Sequence, residues 1–315
     1  MDNPLVTIRC LAYNHELYIR ECLEGFIMQK THFRFEAIVH DDASTDGTAA
    51  VIREYAEKYP NIIKPIFETE NQYSKHDGSL RKIMDAHTHG KYVALCEGDD
   101  YWIDPYKLQK QVELLEDNAD CSLCCGGYIR RQLGKIDNIQ KIDSKEGFFF
   151  FTLQDWGKRW FTMPLTILFR KEMLVEYQQK FKYYKYSRDI HLIYHLLKNG
   201  NGIYLSNVLA VYHVHPGGIC SMMPAAVNAI NNYNCYRELY QLNSEDEVMK
   251  KLYIDSISIR LVYPSEKRYS SKKIFLKGWK ISTTFRQKIK LLYHYVTPLS
   301  LIQIISNLKK RICII

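Results

Sequence analysis

Residues 91–102, KYVALCEGDDYW, combine a short apolar run with three closely spaced acids. The run is typical of a strand that is buried on both faces of a parallel sheet. Glu97, Asp99 and Asp100 follow directly at its carboxyl end. Carboxylates at this spacing repel one another, so they persist where water solvates them or where a cation lies among them. The stretch therefore predicts a buried strand that ends in a group of potential cation ligands.

On both sides of this stretch, apolar strand patterns alternate with helical patterns. Turn residues such as Ser44-Thr45-Asp46-Gly47 and Pro60-Asn61 separate them. This alternation predicts an α/β fold with a doubly wound, largely parallel sheet flanked by helices. The predicted strands are residues 5–11, 35–41, 62–68 and 91–97, and the predicted helices are 18–29, a segment ending near Lys58, 79–88 and one opening at Pro105.

The crevice beyond the carboxyl ends of the strands is where such a sheet binds its ligand. The polar residues expected there are Tyr13 and Asn14 after the first strand, Asp41 and Asp42 after the second, and the acids of residues 97–100 after the fourth. An acidic loop alone is more often a solvated turn, but its place opposite a second acidic strand end favours a cation site. Oxygen ligands of this kind suit Mg²⁺ or Mn²⁺, which often take further ligands from substrate phosphates. The sequence has no Walker-type loop and no GxGxxG after the first strand, so metal and side chains would hold such phosphates.

Five stretches, in this order along the chain, resemble the family 2 glycosyltransferases of bacterial surface-polysaccharide type. The resemblance covers roughly residues 4–222, and its DDAST and EGDDYW segments are specific in combination. It implies the GT-A fold, with a mixed, largely parallel, Rossmann-like sheet. It also implies metal-dependent transfer of a sugar from a nucleotide diphosphate sugar, with UDP as the expected nucleotide, to a hydroxyl of a glycan or a lipid-linked saccharide. The stretches are VTIRCLAYNHELYIRECLEGF (6–26), FEAIVHDDASTDGT (35–48), GKYVALCEGDDYWIDPYKLQKQ (90–111), SRDIHLIYHLLKNG (187–200) and VLAVYHVHPGGICS (208–221).

The same resemblance implies roles for individual residues. Residues 97–100 match the DXD-type motif of the family, in which one aspartate usually meets the ribose and another the metal. Asp99 and Asp100 both remain candidates for the main metal ligand, and His215 matches a position that can reach the metal or the diphosphate. Nucleotide contacts are implied for Tyr13, Asp41, Asp42, Asn71, Arg81 and Asp99, and contacts with the transferred sugar or the acceptor for Glu97 and Trp102.

Asp189 matches the acid that serves as general base in the family. Its carboxylate would take the proton from the acceptor hydroxyl, which attacks the anomeric carbon opposite the nucleotide and inverts its configuration. The alternative role is that of a helix N-cap, because Asp189 precedes an apolar helical pattern. Two departures leave base tuning and diphosphate binding open: Arg188 stands where an acid is common, and His213 where an arginine is frequent.

Histidines and cysteines outside these motifs suggest no further metal site. His191 and His195 have zinc-ligand spacing, but no glutamate follows His191 and no third ligand is evident, so packing or surface roles are favoured. Residues 203–215 alternate like a strand at a sheet edge, which would direct at most one of His213 and His215 into the site. The nine cysteines are predicted to be reduced, and Cys121, Cys124 and Cys125 to be buried small apolar residues.

Two other functional classes fit parts of the pattern. A nucleotidyltransferase would need a glycine-rich, basic loop after the first strand, and AYNHELY does not supply one. An inactive sugar-binding module would not need Asp99, Asp100 and Asp189 to be intact. We also expect no binding of nucleic acid, because the part of the chain with the site motifs is acidic.

The charge distribution predicts two domains, a catalytic domain over 1–222 and a basic, mainly helical extension over 223–315. Residues 264–315 contain 12 Lys and Arg and a single acid, Glu266. Apolar and aromatic residues lie between these basic ones, a pattern that fits either an anionic membrane surface or packing on protein. With no signal-peptide pattern and no apolar run of about 20 residues, we expect a cytoplasmic protein, peripheral on the inner face of the membrane if the extension binds lipid.

Overall fold

The computed structural model describes residues 3–132, 134–218, 223–263 and 268–297, and the chain divides into two compact units. The first unit comprises residues 1–185 and 189–221, and the second comprises 186–188 and 222–315. All the strands described below belong to the first unit, and the last four helices belong to the second. The final apolar segment of the sequence, 299–315, lies outside the described residues.

The described part of the first unit forms one mixed sheet. Its strands are β1 (Val6–Ala12), β2 (Phe35–Asp41), β3 (Ile63–Phe67), β4 (Tyr92–Leu95), β5 (Tyr101–Trp102), β6 (Cys121–Gln132), β7 (Lys135–Gln140), β8 (Phe148–Phe151), β9 (Leu168–Arg170) and β10 (Asn201–Val214). Their order in the sheet is β3-β2-β1-β4-β9-β6-β10-β5, with β7 beside β6 and β8 beside β10. β1, β2, β3 and β4 are parallel, as are β6 and β10, and β9 joins the two groups by antiparallel pairing.

Helices cover this sheet and continue in the second unit. In the first unit they are α1 (Ile19–Ile27), α2 (Thr48–Lys58), α3 (Ser79–Ala86), α4 (Lys107–Asp117), α5 (Leu153–Trp156), α6 (Val175–Lys180) and α7 (Asp189–Asn199). In the second they are α8 (Ala225–Leu242), α9 (Glu247–Val262), α10 (Arg268–Ile281) and α11 (Phe285–Val296). The predicted fold class, a largely parallel α/β sheet flanked by helices with a helical C-terminal part, is confirmed.

The core explains why these residues form these elements. β1 and β2 are buried almost throughout, which accounts for their continuous apolar pattern. Ile19, Leu23 and Phe26 place one apolar face of α1 in the same core cluster. Gly25 is needed on this helix, because a Cβ there would lie 2.9 Å from the backbone nitrogen of Trp102.

The prediction of an edge strand over residues 203–215 is wrong. β10 lies inside the sheet, with β6 on one side and with β5 and β8 on the other. Register shifts between β10 and β6 break the alternation of its side chains. β10 is buried over most of its length, as expected of a strand with neighbours on both sides.

The second unit has a core of its own. Tyr253, Ile257 and Leu291 bring α9 and α11 together, and Phe275 of α10 stacks on Tyr295 with 4.4 Å between ring centroids. Asp246 caps α9 by accepting from two backbone N–H groups, and Thr284 forms a capping box at the start of α11. In the ranges that the structure describes, no helix is both long and apolar enough to cross a membrane.

A buried lysine lies in the core next to the acidic loop. Lys107 is fully buried at the start of α4, and its Nζ donates to the Gln111 side chain at 2.8 Å and lies 4.0 Å from the centre of the Trp102 ring. Burial lowers the pKa of Lys107 to about 7. A neutral amide and an aromatic face replace the hydration of the ammonium group only in part, which is the physical cause of that shift.

This lysine gives a pH-dependent stability. Between pH 7 and the unfolded value near 10.5, the unfolded chain holds a proton that the folded chain has lost, so the free energy of unfolding rises with pH. In this pH window we expect the free energy of unfolding of the wild-type protein to rise, relative to that of Lys107→Met, by up to about 1.4 kcal/mol per pH unit. Urea unfolding of both proteins at several pH values measures the difference. Lys58→Met, at an exposed site, controls for the loss of one charge, and parallel curves for wild type and Lys107→Met would contradict the prediction.

Candidate active site

Two turns meet beyond the parallel ends of β1 and β2. Ala12 pairs with Asp41, so the residues that follow them lie side by side. The backbone N–H of Asn14 donates to Ser44 Oγ at 2.9 Å, and that of Thr45 donates to Asn14 Oδ1 at 2.8 Å. Asn14 has a positive φ of 57°, a conformation that asparagine tolerates better than most residues. These bonds hold the two turns together as one surface.

The two aspartates at the end of β2 are buried and differ in their partners. Asp42 accepts from the backbone N–H groups of Gln72 at 2.6 Å and Tyr73 at 3.0 Å, and Asn71 Nδ2 donates to the Asp42 carbonyl at 3.2 Å. Asp42 therefore fixes the loop that contains Asn71. By contrast, Asp41 Oδ1 is buried without a hydrogen-bond partner among the described residues. A buried acceptor without a hydrogen bond costs free energy, so this atom is suited to accept a hydrogen bond from a ligand.

Tyr13 and Arg81 occupy different surroundings. Tyr13 is 46% exposed beyond the end of β1, where it can contact a ligand. Arg81 instead donates to Asp85 at 3.0 Å, and its guanidinium lies 3.9 Å from the centre of the Phe181 ring. The structure thus joins Tyr13, Asp41, Asp42 and Asn71 at one end of the sheet and holds Arg81 on α3 by contacts of its own.

The acidic loop after β4 packs tightly against the end of β1. The backbone N–H of Gly98 donates to the Leu11 carbonyl at 2.8 Å. A Cβ at Gly98 would lie 2.9 Å from His15 Nδ1 and 3.0 Å from the Ala12 side chain. Glycine at this position therefore allows the loop to approach the turn after β1, and Asp99 comes to lie next to it.

Asp99 is surrounded by histidines. Its Oδ2 lies 3.0 Å from His215 Nε2 and 3.8 Å from His15 Nε2, and its carbonyl is 2.8 Å from His213 Nδ1. Burial acts to raise the pKa of Asp99, but the hydrogen bond with His215 and the nearby His15 outweigh it, so the pKa lies below its usual value. Asp99 is therefore the acid of this loop that is held ionised.

Asp100 has a different role in the same loop. Its carboxylate is buried and accepts the backbone N–H of His213 at 2.9 Å, which ties the loop to the end of β10. Its pKa lies well above the usual value because the group is buried and because Asp99 adds a like charge. Asp100 thus supports the loop, while Asp99 faces the histidines.

Asp99 and His215 offer a carboxylate oxygen and an imidazole nitrogen, two groups that could hold a divalent ion together with a substrate. Two neighbouring ligands of an octahedral ion with bonds of about 2.1 Å are about 3.0 Å apart. Asp99 Oδ2 and His215 Nε2 are 3.0 Å apart. In the described part of the chain, no three His, Cys, Asp or Glu side chains form a complete metal cage. Water and substrate oxygens would have to supply the other ligands of such an ion.

Asp189 and Glu97 lie within electrostatic range of one another. Asp189 is the first residue of α7, and its Oδ1 accepts the backbone N–H of the next residue, Ile190, at 2.9 Å. The Glu97 side chain is exposed to solvent. Partial desolvation by neighbouring protein atoms, followed by the charges of Asp99 and Asp189, raises the pKa of Glu97 above its ordinary value. Tertiary structure therefore brings the acid of α7 to the acidic loop.

Trp102 lies beneath this site rather than in it. It is 1% exposed, its indole N–H donates to the Leu165 carbonyl at 2.8 Å, and its ring packs against Phe26. A direct contact with a sugar or an acceptor finds no support in this position. The acidic and aromatic residues of EGDDYW are adjacent in sequence, but the Trp102 side chain in β5 points into the core.

His215 contacts the Asp99 carboxylate, whereas His213 contacts the Asp99 backbone carbonyl and lies near Glu21. β10 ends at Val214, and His215 is therefore not bound by the alternation of the strand.

Two site residues were not foreseen: His15, and Tyr18, whose ring centre lies 4.3 Å from that of His215. Their place in AYNHELY, just beyond β1, was the sequence feature that could have indicated them. His191 and His195 are fully buried, as expected of packing residues.

Comparison with known proteins identifies relatives of this chain. The model of glycosyl transferase family 2 matches residues 10–178. The uncharacterized protein Rv1520 of Mycobacterium tuberculosis is 45% identical over 119 residues, which cover 38% of this chain and 34% of that protein. The match thus spans about a third of that relative's length. The putative teichuronic acid biosynthesis glycosyltransferase TuaG of Bacillus subtilis is 27% identical over 241 residues, 76% of this chain and 90% of the relative.

Solved structures share the fold at lower identity. The TarS 1–349 structure from S. aureus, in complex with UDP-GlcNAc, has a TM-score of 0.59 and 17% identity over 92% of this chain and 80% of that chain. The mannosyltransferase PcManGT from Pyrobaculum calidifontis, in complex with GDP-Man and Mn²⁺, has a TM-score of 0.52 and 16% identity, with 93% and 86% covered. At these identities the likeness establishes a common architecture.

The different surroundings of Asp99 and Asp100 lead to a prediction on metal binding. We expect Asp99→Asn to weaken binding of Mn²⁺ in the presence of inorganic diphosphate by at least about tenfold, because the ionised oxygen next to His215 is lost. Asp100→Asn is the matched control, since an asparagine carbonyl can still accept from His213. Electron paramagnetic resonance of free Mn²⁺ measures both affinities. Equal losses in the two variants would contradict the division of roles.

Proposed function

Because the chain belongs to glycosyl transferase family 2, we propose that it transfers a sugar from a nucleotide diphosphate sugar, with UDP as the nucleotide, to a hydroxyl of an acceptor. The observation that carries this proposal is the contact between Asp99 and His215, beside the paired turns after β1 and β2. It would hold the diphosphate end of a nucleotide that lies along those turns. UDP-GlcNAc in TarS and GDP-Man in PcManGT support a donor of this class.

The turns after β1 and β2 provide the nucleotide side of the proposed site. Tyr13 offers an exposed aromatic face for a base, and Asp41 Oδ1 offers a buried acceptor for a base N–H. Asp42 acts by fixing the loop of Asn71. Asp99 and His215 would hold Mn²⁺ or Mg²⁺ together with the diphosphate, and the bound ion supplies positive charge to the departing group. Asp99 is the main ligand in this proposal, and Asp100 positions it.

Asp189 provides the base on the acceptor side. Its carboxylate takes the proton of the acceptor hydroxyl while that oxygen forms a bond to the anomeric carbon. The bond from this carbon to the diphosphate oxygen breaks, and the anomeric configuration is inverted. Glu97, whose pKa is raised by partial desolvation and by its acidic neighbours, can in its protonated form donate a hydrogen bond to a sugar hydroxyl.

The acceptor we propose is a glycan or a lipid-linked saccharide in surface-polysaccharide assembly. TuaG supports this choice, since its name assigns it to teichuronic acid biosynthesis. We assign transfer to residues 1–222 and a separate role to residues 223–315. A nucleotidyltransferase would instead release diphosphate from a nucleoside triphosphate and a sugar phosphate, and an inactive module would bind a nucleotide sugar without turnover.

A donor screen tests the proposed activity. Release of nucleoside diphosphate is measured from UDP-, GDP- and dTDP-sugars, with Mn²⁺ and with excess EDTA. We expect release from a UDP-sugar that depends on the metal. Release of inorganic diphosphate from a triphosphate would favour the nucleotidyltransferase, and binding of a nucleotide sugar without release would favour the inactive module.

Asp189→Asn separates the base from the cap. Asparagine caps helices about as well as aspartate, so we expect an unchanged melting temperature and unchanged UDP binding. Transfer should fall by about 10²- to 10⁴-fold, because a positioned general base is lost. Asp189→Ala is the comparison that removes both roles. A variant Asp189→Asn that keeps most of its transfer rate would leave Asp189 with the capping role only.

A further inference from the structure

The helix α11 of the second unit has an apolar stripe that faces solvent. Phe285, Ile289, Leu292 and Val296 recur at the spacing of one helix face. Phe285 is 79% exposed and Val296 is 64% exposed, and the other two are exposed as well. The core of this unit uses a different side of the helix, where Leu291 is buried. An apolar row of this length outside a core marks a surface that docks on something.

The charged side chains of α10 and α11 themselves are all basic. The sequence from Arg268 to Thr297 contains eight Lys and Arg and no Asp or Glu. Arg286 and Lys290 lie beside the stripe on α11, and Lys290 also forms an ion pair with Asp255 of α9 at 2.7 Å. Lys272 and Lys273 of α10 are exposed. A ligand for this surface must therefore combine an apolar interior with negative charge.

An aromatic residue of α10 extends the same surface. Trp279 is partly exposed, and the Lys288 ammonium lies 5.6 Å from the centre of its ring, which places Trp279 next to α11. Leu276 lies one turn earlier on α10 and is exposed. Tryptophan and basic residues around an apolar helix face are typical of helices that lie in a membrane interface.

We propose that the exposed stripe of α11, with Trp279 and the basic residues around it, docks on the surface of an anionic lipid bilayer. The stripe enters the boundary between headgroups and acyl chains, and the lysines and arginines contact the negative headgroups. At 12 residues, α11 is about 18 Å long, too short to span a bilayer, so it lies along the surface. This inference is independent of the proposed transfer reaction.

Two other occupants explain fewer of these features. A second copy of the chain would bring eight basic residues against the same eight, which repel one another. A nucleic acid would satisfy the basic residues, but its phosphate backbone offers no apolar surface for Phe285 and Ile289. A bilayer accounts for the stripe and for the charges together.

Co-sedimentation of the full chain with vesicles tests the proposal. We expect binding to vesicles of phosphatidylcholine mixed with phosphatidylglycerol, weaker binding as salt is added, and little binding to phosphatidylcholine alone. The double variant Phe285→Ser, Ile289→Ser should lose more than about tenfold in partitioning, because its apolar side chains no longer enter the interface. Lys272→Ala with Lys273→Ala should lose about 25-fold, since each basic residue contributes about fivefold.

A matched control is available in the same unit. Val227 of α8 and Ile259 of α9 are exposed apolar residues outside the stripe, and their replacement by serine should leave vesicle binding unchanged. Absence of binding at low salt, or equal binding by the stripe variant and the wild type, would overturn the proposal. The proposal would also be overturned if the wild-type protein did not bind vesicles but formed a dimer in sedimentation velocity, and if the stripe variant were monomeric. The donor screen has a separate readout, so either proposal can fail without the other.

Discussion

The parallel pairing of β1 with β2 on one side and with β4 on the other is the constraint on which the candidate site depends. Parallel strands end at the same edge of a sheet, so the residues after these three strands must share one crevice. β1 carries no carboxylate, yet it positions those of both neighbours. The close approach at Gly98 then sets how far the acidic loop extends over the turn after β1.

Crowding of acids in that crevice is relieved by giving each acid a different environment. Asp99 is paired with His215 and stays ionised, whereas burial raises the pKa of Asp100, and partial desolvation with two neighbouring acids raises that of the exposed Glu97. The backbone of β10 supplies the hydrogen bond that Asp100 needs. Of these three acids, Asp99 is the one that is held ionised, next to the imidazoles of His215 and His15.

The second unit differs from the first in the composition of its core. Its core is rich in aromatic residues, with Tyr253 and Phe275 among its members, and α11 presents apolar residues on two sides. One side of α11 packs on α9, and the other side faces solvent among basic residues. A protein that acts on a lipid-linked saccharide would benefit from a surface of this kind, because its acceptor would be confined to the same membrane.

The sequence by itself determined the alternation of strands and helices and the strand ends on which Asp41, Asp42 and Asp99 lie, because these follow from local periodicity and short motifs. It did not determine the interior place of β10, since pairing between distant strands leaves no local pattern. Nor did it separate Asp99 from Asp100, show that Trp102 is a core residue, or bring His15 and Tyr18 to His215. Those outcomes depend on contacts between residues that are far apart in the chain, such as Asp99 and His215, which are 116 positions apart. Tertiary structure alone decided them, because burial and charge act through space and not along the sequence.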